Sequence, residues 1–207
     1  MYLYEIEKLI SQNNAAKDIQ MLTDLLSNVE HMHVILGELF GVAGTPAWRK
    51  ANNILFKKCQ GSTAKFLVQS DIPVIKEKAR EYNFKVTELK NAQIKNGGTY
   101  TLYMEISPFK SNGTVGHKTM IRDRQDRKDW LSKKFEATGA CTVDDCEEIL
   151  PVLHYMEHLL DKQNAQMLHG FTYKLNVTVH NEDTFKQIVN TGVGPGKAYG
   201  FGLVEIQ

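Results

Sequence analysis

Near its end the sequence reads GVGPGKAYGFG, residues 192–202, and holds Lys197 and Tyr199 between glycines. Glycines let a backbone approach a phosphate closely, and successive N–H groups can bind an anion. The Rossmann fingerprint would need these glycines after a first strand, and the Walker A pattern would need Ser or Thr where this chain has Ala198. Two interpretations stay open: a phosphate-binding loop, and a connection whose glycines serve only the backbone conformation.

A second stretch with chemical potential is His154-Tyr-Met-Glu157-His158, which matches the HxxEH signature of inverted zinc peptidases. That signature needs a helix, because histidines four residues apart then share one face and can bind one zinc ion. Only 49 residues follow His158, and they offer only Glu182 and Glu205 as further glutamate ligands. A motif this short also arises by chance, so a zinc hydrolase is retained only as an alternative.

Charge is distributed unevenly along a chain whose net charge is only +1. Residues 110–134 contain eight bases against three acids, and no acid lies between Glu38 and Asp71. Clustered bases on a nearly neutral chain indicate a face that binds a polyanion such as a nucleic acid. An ordinary solvated surface would show the same composition, and both interpretations stay open.

The first half of the chain predicts the element order β-α-β-β-α-β. Residues 2–9 alternate as a strand, and apolar residues from Leu22 to Phe40 recur with helical spacing. We expect this helix to break at Ser27-Asn28, where Ser27 and Glu30 resemble a capping box. The remaining predicted elements are strands over 53–59, 64–70 and 84–90, with a short helix from Pro73 to about Tyr82.

The second half predicts a similar mixture of helices and strands. Its predicted elements are a strand over 99–107, a helix from Asp123 to about Phe135, an amphipathic helix over 144–162, a strand over 168–180, a helix from Asp183 to Asn190 and a final short strand. The fold class is therefore α+β. We expect two domains, an N-terminal one over 1–95 and a C-terminal one over 96–207.

Several stretches together resemble a known family. They are HVILGELF, YMEISPFKSNGTVGHKTM, DWLSKKF and FTYKLNVTVHNEDTFKQIVNTGVGPGKAYGFGLV. The glycine-rich end is similar to the C-terminal loop of the RAMP superfamily of CRISPR-associated proteins, and the set as a whole resembles the CasE family within it. The resemblance is long over residues 99–135 and 168–206 and weaker in the N-terminal half. It implies two tandem ferredoxin-like (βαββαβ) domains with a C-terminal glycine-rich loop.

The resemblance also implies an activity. CasE proteins are endoribonucleases of type I-E Cascade that cut CRISPR repeat RNA at the base of a hairpin without a metal or other cofactor. The ribose 2′-OH attacks the adjacent phosphate and leaves a 2′,3′-cyclic phosphate and a 5′-OH. The implied partners are the repeat RNA hairpin and other Cascade subunits, with no membrane and no direct DNA contact. A non-catalytic RNA-binding RAMP subunit is the first alternative to this enzyme.

By the same resemblance, His33 stands at the family's catalytic histidine, and its near-neutral pKa suits proton transfer. A tyrosine that assists in that family is absent, and Glu30 stands in its place. Three explanations stay open. Glu30 assists His33 in a Glu–His arrangement, Tyr2, Tyr199 or another residue replaces the tyrosine, or the protein mainly binds RNA and cuts slowly. Glu30 as a plain capping residue is equally compatible with the sequence.

The expected RNA contacts are basic side chains and glycine backbone groups. They are Lys197, Gly194, Gly196, Gly200, Lys110, Lys118, Arg122, Arg124, Arg127, Lys128 and Lys134. Positions 124, 127, 128, 131 and 134 share one face of a helix, and such a face can bind the phosphates of A-form RNA. The acids interspersed among them also allow an ordinary salt-bridged helix.

Localisation follows from general features. The sequence has no apolar run of 18 residues and no secretory signal at its start. Its three cysteines, Cys59, Cys141 and Cys146, form no CxxC pair, which is typical of reduced thiols. We therefore expect a cytoplasmic protein.

Overall fold

A computed structural model of the chain describes residues 1–44, 47–59, 61–62, 64–111, 118–157 and 165–207. Its contacts divide the chain into two compact units. The first comprises Met1–Asn91, His154–Leu168 and Ala198–Gly200, and the second comprises Ala92–Leu153, His169–Lys197 and Phe201–Gln207. The division into domains at 1–95 and 96–207 stays a prediction. The compact units differ from it because two later segments, 154–168 and 198–200, group with the first unit.

The first unit contains four strands and four α-helices. In chain order they are β1 (Tyr2–Lys8), α1 (Ala15–Ser27), α2 (Val29–Leu39), α3 (Trp48–Ala51), β2 (Leu55–Lys58), β3 (Lys65–Ser70), α4 (Lys76–Glu81) and β4 (Phe84–Leu89). The sheet order is β2-β3-β1-β4, with β1 antiparallel to both β3 and β4. This order is that of a ferredoxin-like sheet, so the predicted first half is confirmed.

The second unit repeats this topology with an added hairpin. Its elements are β5 (Thr99–Ile106), β6 (Phe109–Ser111), β7 (Lys118–Met120), α5 (Arg124–Glu136), β8 (Cys141–Met156), β9 (Gln166–Val179), α6 (Glu182–Thr191) and β10 (Val204–Ile206). The four-stranded sheet has the order β10-β5-β9-β8, and β6 pairs with β7 separately. The last residues of β8 and the first of β9 are counted in the first unit. The predicted α+β class with two ferredoxin-like sheets is therefore confirmed.

One predicted helix is wrong. Residues 144–162 were expected to form an amphipathic helix, but residues 141–156 form the long strand β8. Pro151 would cost a helix interior about 3 kcal/mol, whereas an edge strand tolerates a residue without an N–H. β8 is the last strand of its sheet, so its pairing with β9 outweighs the helical spacing of its apolar residues.

The core of the first unit fixes the orientation of α2. Met32, Leu36 and Leu39 are fully buried against strand residues such as Ile6 and Val68. These α2 positions follow helical spacing and define its inner face. His33 directly follows Met32 and is half-buried, so it lies at the border of that face rather than within the core.

The break between α1 and α2 is confirmed, but its cap is Asn28 rather than Ser27. The Asn28 Oδ1 atom accepts hydrogen bonds from the backbone N–H of Glu30, at 3.0 Å, and of Glu157, at 3.1 Å. Its Nδ2 donates to the Glu157 carbonyl at 2.7 Å. Asn28 therefore begins α2 and also binds the chain just after β8. Within the described part of the chain, no helix is long and apolar enough to cross a bilayer.

Candidate active site

The His33 imidazole lies under an indole ring in the first unit. Trp48, the first residue of α3, stacks on it with ring centroids 4.9 Å apart and an angle of 26° between the planes. Gly37, one turn after His33, provides the space for this indole, because a Cβ at that position would lie 3.3 Å from Trp48 Cζ2. Trp48 therefore covers one face of His33. The register of α2 places both His33 and Gly37 against its indole.

Tyr199 of the glycine-rich end also lies beside His33. The two ring centroids are 6.1 Å apart and the planes are inclined by 51°. The Tyr199 carbonyl is 2.7 Å from Nδ1 of His154, and since a carbonyl can only accept, Nδ1 carries the proton. Gly200 has φ of 89°, and a Cβ there would lie 2.9 Å from His154 Cε1. Only glycine fits between Tyr199 and the histidine that binds it.

Burial and nearby charges shift the pKa of the Tyr199 phenol. Burial, and then the negative charge of Glu30, raise the pKa of Tyr199, while the positive charge of Arg49 opposes this rise. Burial in turn lowers the pKa of Arg49. The guanidinium donates to the Ile54 carbonyl at 3.4 Å, and no carboxylate of the described residues lies within 4 Å of it. An arginine in this state is well suited to bind an anion.

The HxxEH motif takes a different form from the one a zinc peptidase needs. His154 lies on strand β8, and the backbone of Glu157 is bound by Asn28. His158 lies outside the described residues. Among the residues that are described, no three His, Cys, Asp or Glu side chains lie close enough together to hold a metal ion. The zinc alternative requires a helix at this motif, but His154 lies on a strand.

In the second unit, Lys197 closes the end of α6. Its Nζ donates to the carbonyls of Thr191, at 2.7 Å, and Gly192, at 2.8 Å. Lysines commonly bind the last carbonyls of a helix in this way. Gly194 and Gly196 have φ of 78° and 77°, and a Cβ at Gly196 would lie 2.9 Å from Phe201 Cδ2. These contacts explain the glycines by conformation, and their contact with phosphate stays a prediction.

A cleft of about 770 Å³ brings part of the predicted RNA-binding set together in the second unit. Lys110, Lys134 and Gly194 line it together with Phe109 and Trp130. Both lysines are exposed. Lys110 lies 3.8 Å from an Asp126 carboxylate, and Lys134 Nζ lies 5.5 Å from the centre of the Trp130 ring. The cleft therefore combines cationic and aromatic groups, which suits a nucleotide chain.

Arg127 does not lie on an exposed basic face. It is only 7% exposed, and its Nε and Nη2 atoms donate to the two Glu148 oxygens at 2.7 and 2.6 Å. The guanidinium also lies 3.9 Å from the centre of the Phe171 ring, and the Tyr173 hydroxyl donates to Glu148 at 2.8 Å. Leu131, one turn later, is fully buried. The expectation that Arg127 contacts RNA gives way to a structural role, because positions 127 and 131 of α5 face the core.

The remaining predicted basic residues of this unit are more accessible. Arg122 and Arg124 are exposed and Lys128 is half-buried. Arg124 is held in place by a 2.7 Å hydrogen bond from Nη2 to the Glu148 carbonyl. The Lys118 side chain lies outside the described part, although its backbone pairs with Ser111 in the β6–β7 hairpin.

The sequence alone did not identify three residues discussed with this site, namely Trp48, Arg49 and His154. In the sequence Arg49 is one of the bases in the stretch without acids between Glu38 and Asp71, Trp48 belongs to no motif, and His154 matches a zinc motif. Gly37 and Gly200 are the available sequence signals. A glycine one turn after a candidate histidine indicates space for a covering ring, and a glycine next to Tyr199 indicates a close approach. Neither signal names the residue that fills the space.

Comparisons with known proteins identify the family. The family described as CRISPR associated protein matches residues 1–207. Similar folds occur in Thermus thermophilus Cse3 bound to an RNA representing a pre-cleavage complex (16% identity, TM-score 0.77) and in Cas6e from Escherichia coli str. K-12 (17%, 0.69), each covering 100% of this chain and 98% of that one. No curated protein sequence matches. At these identities the two structures show the fold, and the family match shows that the chain belongs to the CRISPR associated protein family.

Proposed function

We propose that this protein is an endoribonuclease that processes CRISPR repeat RNA, cutting at the base of a repeat hairpin without a metal ion. The observation that carries the proposal is the half-buried His33, stacked under Trp48 and beside Tyr199. A histidine in this position is partly accessible, and its ring is held in place by aromatic contacts. Family membership supports the same class of function.

The proposed reaction is an internal phosphoryl transfer. His33 accepts the proton of the ribose 2′-OH while that oxygen forms a bond to the adjacent phosphorus. The bond from phosphorus to the 5′-oxygen breaks, and the imidazolium returns a proton to that oxygen. The products are a 2′,3′-cyclic phosphate and a 5′-OH end. Nothing in this sequence of steps consumes water or another reactant.

The proposed RNA-binding surface belongs to the second unit. It consists of accessible cations around α5 and the cleft, namely Lys110, Arg122, Arg124, Lys128 and Lys134. Such cations can contact phosphates along an A-form stem, where shape and charge matter more than base edges. Lys118 and the backbones of Gly194, Gly196 and Gly200 stay predicted contacts, while Lys197 is left out of the surface because its ammonium binds the Thr191 and Gly192 carbonyls. Arg127 is left out because it is buried against Glu148.

The proposed partners are the repeat RNA hairpin and the other subunits of a Cascade complex. A chain similar in fold to this one belongs to a CRISPR RNA-guided surveillance complex, with 15% identity and a TM-score of 0.64. By this likeness we propose that the cleaved RNA stays bound and that the protein is carried with it into such an assembly.

A cleavage assay with His33→Ala tests this function. We expect the wild-type protein to cut a repeat hairpin in EDTA and the variant to lose about 100- to 10,000-fold in single-turnover rate, the usual contribution of acid–base catalysis. His31→Ala is the matched control, because His31 lies on the same helix, is also half-buried and does not stack on Trp48. Its rate should stay close to wild type.

The same assay separates the two alternatives. RNA binding without cutting by the wild-type protein would identify a non-catalytic RAMP subunit. Cutting that EDTA abolishes and zinc restores would contradict the metal-independent mechanism. The reaction ends offer a further check, because only attack by the 2′-OH leaves a 2′,3′-cyclic phosphate, and a 2′-deoxy nucleotide at the cleavage site should block it.

A further inference from the structure

We propose that Tyr199 and Arg49 are catalytic residues that bind the reacting phosphate beside His33, and that His154 is a positioning residue for Tyr199. The inference rests on the proposed function, because it names further groups for the same reaction. In this arrangement the phenol donates a hydrogen bond and the guanidinium supplies charge at the phosphate oxygens. No bond is made to either residue, and the proton moves through His33.

Tyr199 lies beside His33. Its ring lies 6.1 Å from His33, centroid to centroid, and it is half-buried like the histidine. A phosphate that presents its 2′-OH to His33 is therefore within reach of a neighbouring phenol. A phenol is protonated at neutral pH and can donate a hydrogen bond, and burial shifts the pKa of Tyr199 further upward.

Arg49 directly follows Trp48, whose indole stacks on His33, so its backbone lies next to the residue that covers the histidine. The electrostatic interaction between Arg49 and Tyr199 opposes the pKa shift that burial causes in each of them. A partly buried cation with no carboxylate of the described chain within 4 Å gains most from an anionic ligand.

Tyr199 is held in place by contacts of its backbone and of Gly200. His154 donates from Nδ1 to the Tyr199 carbonyl at 2.7 Å. A Cβ at Gly200 would also lie 3.4 Å from the Phe56 ring. The backbone at Tyr199 and Gly200 therefore packs closely against an imidazole and a core ring. This contact gives His154, which lies within the HxxEH pattern, a role that needs no metal.

Two substitutions test the phosphate contacts. Tyr199→Phe keeps the ring and removes the donor, and Arg49→Gln removes the charge. Each should lower the single-turnover rate by about 100-fold, as for the loss of one donor to a developing oxyanion, with RNA affinity unchanged. Tyr103→Phe, at a half-buried position of β5 in the second unit, is the matched control and should cut at the wild-type rate. Wild-type rates in Tyr199→Phe and Arg49→Gln would overturn the proposal.

A modified substrate distinguishes phosphate binding from proton donation. Sulfur in place of the bridging 5′-oxygen gives a leaving group that needs no proton. If Tyr199 binds phosphate oxygens, Tyr199→Phe should remain defective with this substrate. Full recovery of the wild-type rate would instead make Tyr199 the proton donor and would overturn the assigned role.

A double-variant cycle tests the positioning role of His154. His154→Ala should lower the rate in the wild-type background and have little further effect in Tyr199→Phe, because both changes remove the same donor. Thermal unfolding of each variant separates this effect from loss of fold. Equal effects of His154→Ala in both backgrounds would mean that His154 does not act through Tyr199.

A binding measurement separates this inference from the cleavage function itself. Inorganic phosphate is titrated against protein whose histidine ring resonances are resolved by NMR. We expect a saturable shift at His33 in wild type that is lost in Arg49→Gln. If the wild type cuts no repeat RNA but shows this shift, the anion site stands and the proposed function fails. If phosphate produces no shift, the site proposed at Arg49 and Tyr199 is wrong.

Discussion

Arg49 in the first unit and Arg127 in the second are chemically identical side chains with opposite surroundings. Arg127 forms two short hydrogen bonds with Glu148, which raise the pKa of the guanidinium against the effect of burial. Among the described residues, Arg49 donates a single long hydrogen bond, to the Ile54 carbonyl at 3.4 Å, and burial lowers its pKa. The charge of Arg127 is satisfied within the fold, whereas that of Arg49 is available to a ligand.

The difference separates stability from function. The two charges of a buried ion pair attract each other within the protein, so the pair contributes little to the binding of RNA. A cation that is partly desolvated and lacks a carboxylate has the opposite balance, because it weakens the fold slightly and strengthens the binding of an anion. Both arginines lie in basic stretches of sequence, and only their partners distinguish them.

The largest expected effect comes from exchanging each arginine for glutamine. Arg127→Gln removes the two-bond ion pair of the buried Glu148 and leaves its carboxylate with the Tyr173 hydroxyl and the more distant Arg124, so we expect a loss of about 3–5 kcal/mol in the free energy of unfolding. Arg49→Gln should leave that free energy unchanged or slightly higher, while it lowers the cleavage rate. Urea unfolding and single-turnover cleavage measure the two quantities. Destabilisation by Arg49→Gln as large as that by Arg127→Gln would erase the distinction between them.

The same pair predicts a response to acid that serves as a control. Burial pushes the pKa of Glu148 upward, but hydrogen bonds from Arg127 and Tyr173 outweigh this and lower it. A lowered carboxyl pKa contributes stability above the unfolded value, about 4.3, and this contribution is lost as the pH falls through the folded value. In Arg127→Gln the carboxyl has lost its main ion pair and should favour protonation, so the stability gap to the wild type should narrow in acid.

A smaller effect is expected from Gly200→Ala, which tests the support of Tyr199 in the first unit. The positive φ of 89° and the 2.9 Å approach to His154 should together cost about 1–3 kcal/mol and displace Tyr199. Cleavage should fall with it. Gly61→Ala is the matched control, since Gly61 also has a positive φ, of 72°, but no atom within 4 Å of an added Cβ. It should lose stability through backbone strain alone and keep its cleavage rate.

Most of the fold could be predicted because its signals are local. The break between α1 and α2, the cap of α5 at Asp123 and the alternation of β5 all follow from neighbouring residues. The strand β8 could not, because its apolar spacing suits a helix and only pairing with β9 makes it a strand. The presence of Pro151 was the one local sign against that helix.

The site was less accessible to sequence reasoning than the fold. The family resemblance indicates His33. The residue type adds only that histidine side chains in general have a near-neutral pKa. Tyr199 was weighed only as one of several substitutes for a missing tyrosine. Its place next to His33 depends on contacts between segments more than 160 positions apart. Spacing along the chain carries no information about such contacts.

The smallest expected effect belongs to Lys197, a cation of the second unit that, like Arg127, already contacts its own fold. Because its ammonium binds the Thr191 and Gly192 carbonyls, Lys197→Met should cost about 0.5–1 kcal/mol of stability. The slope of log affinity for RNA against log salt should stay the same. Lys134→Met is the comparison, since Lys134 is exposed in the cleft, and it should reduce that slope by about one phosphate contact. A reduced slope in Lys197→Met would instead place Lys197 among the phosphate-binding cations with Arg49. Lys197 would then stabilise the fold and bind RNA as well, so contacts within the fold would not by themselves identify the cations that bind no RNA.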